Sequence, residues 1–188
     1  MPGVASKMTE LQNALNRYGE ASVENYKIIH PIGEKVLDGL GGYLGVHGCV
    51  FGVPPTGDWR NDGTDYHDAK FSTYWEGPLI VGNISMGVAI RIPHTKDSGA
   101  FWVRVVLDFL VEGRTFSVRV GDGKTIEGLP LDGGEAELHP LYDEIFAYVK
   151  DIFIHPVSYF EAQKIGKIGF LPNLRGGLTD LHPAAPQT

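Results

Sequence analysis

The chain has 188 residues, of which 43% are hydrophobic and 21% charged, in the range of an ordinary globular domain and well away from a disordered one. Sixteen basic against 23 acidic side chains give a net charge of −7, which opposes binding to nucleic acid phosphates. Cys49 is the single cysteine, so no intrachain disulfide can form.

The first ten residues hold no apolar run of the signal-peptide kind. No segment approaches the roughly 18 consecutive apolar residues of a membrane span. A cytoplasmic protein with no membrane contact is therefore expected.

From Thr9, Leu11, Leu15 and Tyr18 recur at helical spacing, with Thr9 and Gln12 as a capping box. Gly19 weakens that helix, Ser22 to Ile29 suggests a second, and Pro31 opens a third that Gly41 and Gly42 stop. The expectation is a set of short N-terminal helices. Val46 to Val53 follows as a strand, closed by Pro54 and Pro55.

The window Asp58 to Asp68 then gathers four aspartates, a histidine, an arginine and two aromatics. Beyond it the period changes to two. Ile84, Met86, Val88, Ile90 and Ile92 alternate with small or polar residues, as do Phe101, Val103, Val105, Leu107 and Phe109, and then Phe116, Val118 and Val120. These are strands with one buried face.

A two-residue turn at Glu112 and Gly113 would pair Phe109 with Phe116, Leu107 with Val118 and Val105 with Val120. A three-residue loop, Gly121 to Gly123, pairs Val118 with Ile126 and keeps apolar partners together. From Pro140 a strong helix carries Leu141, Ile145, Val149 and Ile152 as one stripe, widened by Tyr142, Phe146, Tyr148 and Phe153, until Pro156 ends it. A short helix from Tyr159 to Ile165 follows. The fold class is α+β: an antiparallel β-meander of about four or five strands packed against a long C-terminal amphipathic helix and short N-terminal helices. Residues 1–174 form the single domain, and 175–188 a flexible tail.

Two constellations carry candidate chemistry. In the acidic window, Asp62, Asp65, His67 and Asp68 are candidate ligands for a divalent metal, which favours several oxygen donors from one loop. The calcium-loop template fails, because a frame begun at Asp58 puts Arg60 at the third ligand position and Ala69 at the twelfth. A zinc set from His47, Cys49 and His67 matches no spacing signature. The same residues also suit a solvated turn.

The second constellation is the polar face of the meander. Pairing Ile90 with Val103 sets Arg91 opposite Trp102 and Ala89 opposite Arg104, while pairing Val106 with Arg119 brings the third arginine one strand over. Guanidinium forks suit carboxylate or phosphate, and an indole suits a ring. Arg91, Trp102, Arg104 and Arg119, with Asp58, Trp59 and Arg60 from the loop, form the candidate ligand site. The alternative is a wet face whose arginines pair with Asp108 and Glu127. No nucleophile elbow, phosphate loop or nucleotide fingerprint is present, so no motif assigns a reaction.

Function is therefore expected to be binding: a small anionic or aromatic ligand, or a protein partner, held without catalysis. A metal-assisted hydrolase using residues 58–68 is the first alternative. A structural subunit of an oligomer or larger assembly is the second.

Overall fold

The computed structural model describes residues 6–76, 81–94 and 99–165. Five strands form one antiparallel sheet in sequence order: β1 (Val50–Val53), β2 (Ile84–Pro93), β3 (Ala100–Glu112), β4 (Thr115–Val120) and β5 (Thr125–Pro130). Among the described residues three α-helices accompany it: α1 (Lys7–Tyr43), α2 (Ser72–Glu76) and α3 (His139–Ile165). The α+β class expected from the alternation is the class observed.

The period-two pattern explains the layering. Ile84, Phe109, Val118 and Ile126 are cross-strand neighbours, as are Met86, Leu107 and Val120. All of them lie on the face that packs against Ile29, Ile32, Val36 and Leu40 of α1 and Leu141, Tyr142, Ile145 and Val149 of α3 in one core. Burying an aliphatic or aromatic side chain contributes about 1.5–3 kcal/mol each, so this layer dominates stability.

The β2–β3 register is the expected one, with Ile90 opposite Val103, Arg91 opposite Trp102 and Ala89 opposite Arg104. The β3–β4 register is not. The turn centres on Gly113 and Arg114, pairing Phe109 with Val118 and Leu107 with Val120, and so Asp108 with Arg119 rather than Val106 with Arg119. Gly113 takes the positive φ, 65°, that a tight hairpin requires, and the Thr115 hydroxyl donates to the Glu112 carbonyl at 3.1 Å. A slip of two residues keeps every side chain on its own face, so alternation alone cannot detect it. Val118 does meet Ile126, across the loop at Gly121 to Gly123.

The short N-terminal helices are replaced by one helix of 37 residues with Pro31 inside it. Its cap is Ser6, whose hydroxyl accepts from the Thr9 amide at 3.2 Å, not the Thr9 and Gln12 box. A helix-interior proline costs about 3 kcal/mol. Four buried aliphatic side chains on the sheet side outweigh that, and Pro31 itself is exposed. Gly33 is a contact, not a break: a Cβ there would lie 2.7 Å from the Phe71 ring and 2.8 Å from the Met86 sulfur. The helix ends in a Schellman arrangement, with Val46 N–H on the Gly41 carbonyl, Gly45 N–H on Gly42, and Gly45 at φ 71°.

β1 is shorter than the expected Val46 to Val53, because residues 46–49 belong to that helix exit and its turn. Pro156 likewise does not end α3, which continues through Ile165. Proline forfeits one backbone hydrogen bond, and at this exposed position it is accommodated within the helix.

The chain divides after Asp151 into two compact units. The first holds the sheet, α1, α2 and the start of α3; the second begins at Ile152 with the rest of α3. The expected single domain over residues 1–174 spans both, and the expected tail, 175–188, lies outside the described residues. Among the described residues no helix is long and apolar enough to cross a membrane.

Tyr142 is fully buried, with its hydroxyl 3.4 Å from the Lys35 carbonyl. Burial first, then Glu135 and Asp38, push its pKa up from 10.0 to about 12. Above pH 10 the unfolded chain loses this proton while the folded chain keeps it, so stability is full below that pH and falls as pH rises towards about 12. Urea unfolding midpoints should therefore drop between about pH 9 and about pH 11. Tyr142→Phe should start less stable by about 1 kcal/mol and show a shallower decline.

Candidate functional site

The acidic window is an excursion from the edge of the sheet. Val53 ends β1 opposite Gly87, and Phe71 bridges to the adjacent Met86. Residues 54–70 thus leave the edge of β2 and return to it one position along. The Ser72 hydroxyl fixes the return, accepting from the Ser85 amide at 3.1 Å.

The outgoing half crosses the outer face of the sheet. Gly87 permits this, since a Cβ there would collide with the Val53 carbonyl and lie 2.7 Å from that of Pro54. Arg104, one strand away, holds the crossing with its guanidinium, donating to the carbonyls of Pro54 at 3.3 Å and Gly57 at 2.8 Å. Asp58 follows as an exposed residue. Trp59 then meets Trp102 edge to face at 6.0 Å between centroids, and Phe51 of β1 lies 5.2 Å from the same indole.

The returning half sits on the helix side. Arg60 N–H donates to the Tyr66 hydroxyl at 2.7 Å, closing the loop on itself. A 3₁₀ turn at His67–Lys70 then docks on α1: His30 Nε2 lies 3.1 Å from Asp68, and Lys70 Nζ 2.6 Å from Glu34. Lys70 is 7% exposed, its aliphatic stem passing across Gly52. Tyr26 flanks this cluster, its hydroxyl pushed up to about 12 by burial and then by Asp68.

The expected metal ligands consequently do not converge on one point, only Asp65 and His67 being in contact. Asp62 accepts from the Thr64 amide and hydroxyl, at 3.0 and 2.5 Å, and the hydroxyl above all holds its carboxyl below the usual range. Asp65 accepts from the His67 amide at 2.8 Å and lies 3.1 Å from the His67 ring, holding that residue at a φ of 45°. Asp68 belongs to His30. No three His, Cys, Asp or Glu among the described residues are grouped to hold a metal ion. His47 is exposed, and Cys49 is buried, its thiol donating to the Val46 carbonyl at 2.9 Å and pushed up by burial.

The arginines separate too. Arg119 donates to Asp108 at 3.1 and 2.5 Å, and Ser85 donates to the other oxygen of that carboxylate at 2.6 Å. Arg91 is different: among the described residues its guanidinium has no hydrogen-bond or ion-pair partner. It lines an open cleft of about 530 Å³ with Trp102, Phe51, Asn61, Asp62, Gly63, Gly48 and Ala100.

No known family, curated protein or solved structure matches this chain. The cleft is therefore read from its own chemistry. An aromatic wall from Trp102 and Phe51, an uncommitted cation at Arg91, and a carboxylate at Asp62 converge on one volume. Of the expected ligand residues, the structure brings Arg91 and Trp102 to the cleft and Trp59 against Trp102, while Arg104 holds the Pro54 and Gly57 carbonyls and Arg119 engages Asp108.

Phe51, Asn61 and Gly63 were not anticipated as site residues. Phe51 was discoverable, because period two on β1 places it on the face of Arg91 and Trp102. Gly87 gave a signal as well, being a glycine inside an otherwise alternating strand.

Gly87→Ala should displace the 54–57 crossing and destabilise the protein by about 1–3 kcal/mol in urea unfolding, with a change in tryptophan emission as Trp59 leaves Trp102. Gly82→Ala, where a Cβ meets nothing within 4 Å, should leave both unchanged.

Proposed function

We propose that the protein binds, without catalysis, a small molecule that joins a flat aromatic body to one carboxylate or phosphate group. The observation that carries this reading is the guanidinium of Arg91, without a partner among the described residues, beside the exposed part of Trp102, while Arg104 and Arg119 are both engaged. A charged group of that kind is normally paired, solvated or kept for a ligand, and an adjoining indole adds stacking area. Asp62, which lines the same cleft, suits a hydrogen-bond donor on the ligand, such as an amine or hydroxyl. The loop 54–70 supplies that wall, which gives the Asp58 to Asp68 window its role: contact and enclosure.

Metal-assisted hydrolysis has no comparable support, since Asp62, Asp65 and Asp68 each serve a different local contact.

Titration with phenylacetate and with benzyl phosphate should quench tryptophan emission, because Trp59 and Trp102 are two of three tryptophans in the chain. The neutral analogue phenylacetamide should bind more weakly. Arg91→Ala should reduce affinity about 10- to 100-fold, the range for losing a charge-assisted hydrogen bond worth about 1.5–3 kcal/mol. Arg119→Ala should leave it unchanged. Equal binding of charged and neutral probes, or an Arg91→Ala variant that binds like the parent, would overturn the proposal.

A further inference from the structure

The cleft beside Trp102 contains two opposite charges that do not meet. Among the described residues that line it, Arg91 and Asp62 are the charged ones, and no ion pair joins them.

Both are fixed to the same sheet. Arg91 stands on β2, where its amide donates to the Cys49 carbonyl at 2.7 Å. Asp62 stands in the loop, in a turn whose Gly63 takes a φ of 76°. That turn is seated on β1, because a Cβ at Gly63 would lie 3.1 Å from the ring of Phe51, the ring that itself lies 5.2 Å from Trp102. Cation, anion and indole therefore share one frame.

The Asp62 carboxylate is only partly satisfied within the chain. The amide and the hydroxyl of Thr64 both donate to one oxygen, Oδ1, and among the described residues no other residue donates to this carboxylate. The Thr64 hydroxyl first, and then its amide, hold the group below the usual carboxylate range, so it stays ionised. Oδ2 is left to accept from an occupant of the cleft.

Charge balance then narrows what that occupant is. A simple anion pairs with Arg91 but is repelled by Asp62, and a dianionic phosphate more so than a carboxylate. A simple cation meets the reverse difficulty. A metal ion is poorly served, since it favours several oxygen donors and Asp62 is the one carboxylate among the described residues of the lining. A molecule with one charge of each sign satisfies both residues, and its net charge of zero matches that of the lining. The volume of about 530 Å³ suits such a molecule, small-molecule sites spanning about 300–1,000 Å³.

Resting on the reading of this cleft as a site for an aromatic anion, we propose that its ligand is an aromatic amino acid, with its carboxylate on Arg91, its ammonium on Asp62 and its ring against Trp102. Guanidinium and carboxylate each make charge-assisted hydrogen bonds to the matching end, and the indole supplies the stacking surface.

Isothermal titration calorimetry of the full chain with phenylalanine, hydrocinnamate and phenethylamine tests this, because the three share one ring and differ in their charged groups. Phenylalanine should bind about 10-fold more tightly than either analogue, the gain from one further charge-assisted hydrogen bond. Asp62→Asn keeps an oxygen for Thr64, so the turn is preserved while the charge is removed. That variant should bind phenylalanine about 10-fold more weakly and hydrocinnamate equally or more tightly, since a repulsion is gone; a merely structural role for Asp62 would weaken both alike. Arg91→Ala should weaken both. Phenylalanine no tighter than hydrocinnamate, or an Asp62→Asn variant that binds phenylalanine like the parent or loses both ligands equally, overturns the amino-acid assignment; hydrocinnamate binding that remains sensitive to Arg91→Ala then leaves the anion site standing. Hydrocinnamate bound alike by the parent and by Arg91→Ala, or no binding of any of the three, overturns the cleft reading and this inference with it.

Discussion

The candidate site depends on the way the chain leaves the edge of β2 at Gly87 and returns to it at Met86. Val53 and Phe71 are neighbours on that edge although residues 54–70 lie between them. Both ends of the excursion are therefore held by backbone pairing that the core already stabilises. Gly87 decides where it goes, because only a residue without Cβ lets the Val53 and Pro54 carbonyls lie against the sheet. The loop is thereby directed over the outer face, where Arg91 and Trp102 stand, before it rounds the edge to reach α1.

The two fixings of this loop differ in physical character. On the outer face Arg104 donates to two backbone carbonyls, an interaction blind to the identity of the loop side chains. On the helix side the contacts are side chain to side chain, Asp68 with His30 and the almost fully buried Lys70 with Glu34. A buried ammonium left without its carboxylate is strongly unfavourable, so the second fixing demands that the 3₁₀ turn keep its place on α1. Between the fixings, Asp58 to Tyr66 have only local hydrogen bonds among the described residues. Asn61, Asp62 and Gly63, which line the cleft, are among them.

How much of this is legible in the sequence differs by element. The strands are, because alternation reports a face directly, and the pairing of Arg91 with Trp102 follows from matching apolar rows. The β3–β4 slip is not, because moving by two residues leaves every face unchanged and only the turn at Gly113 and Arg114 decides between registers. α1 is misread wherever a local rule meets tertiary packing. Gly19 and Pro31 look like breaks, yet the helix runs through both, and Gly33 and Gly39 within it each make room for a ring, Phe71 in one case and Tyr142 in the other. The acidic window is visible as a concentration of chemistry, but sequence proximity cannot show that Asp62, Asp65 and Asp68 turn towards three different partners. Lys70 gives no signal at all, since nothing in its neighbours announces burial.

The same reasoning explains why one arginine of three carries the functional reading. On a flat polar sheet face, charge is usually neutralised by the residue opposite or diagonal to it. Arg119 has Asp108 directly across the strand pair, a consequence of the two-residue slip. Arg104 has backbone carbonyls brought over it by the Gly87 crossing. Arg91 sits one row farther, opposite Trp102 and next to Cys49, where neither β1 nor β3 presents an acidic side chain, and Asp62 of the loop lines the same cleft without an ion pair to it. Its availability is thus set by register and by the reach of the loop together, and a cation left open beside an indole is what an aromatic anion would recognise.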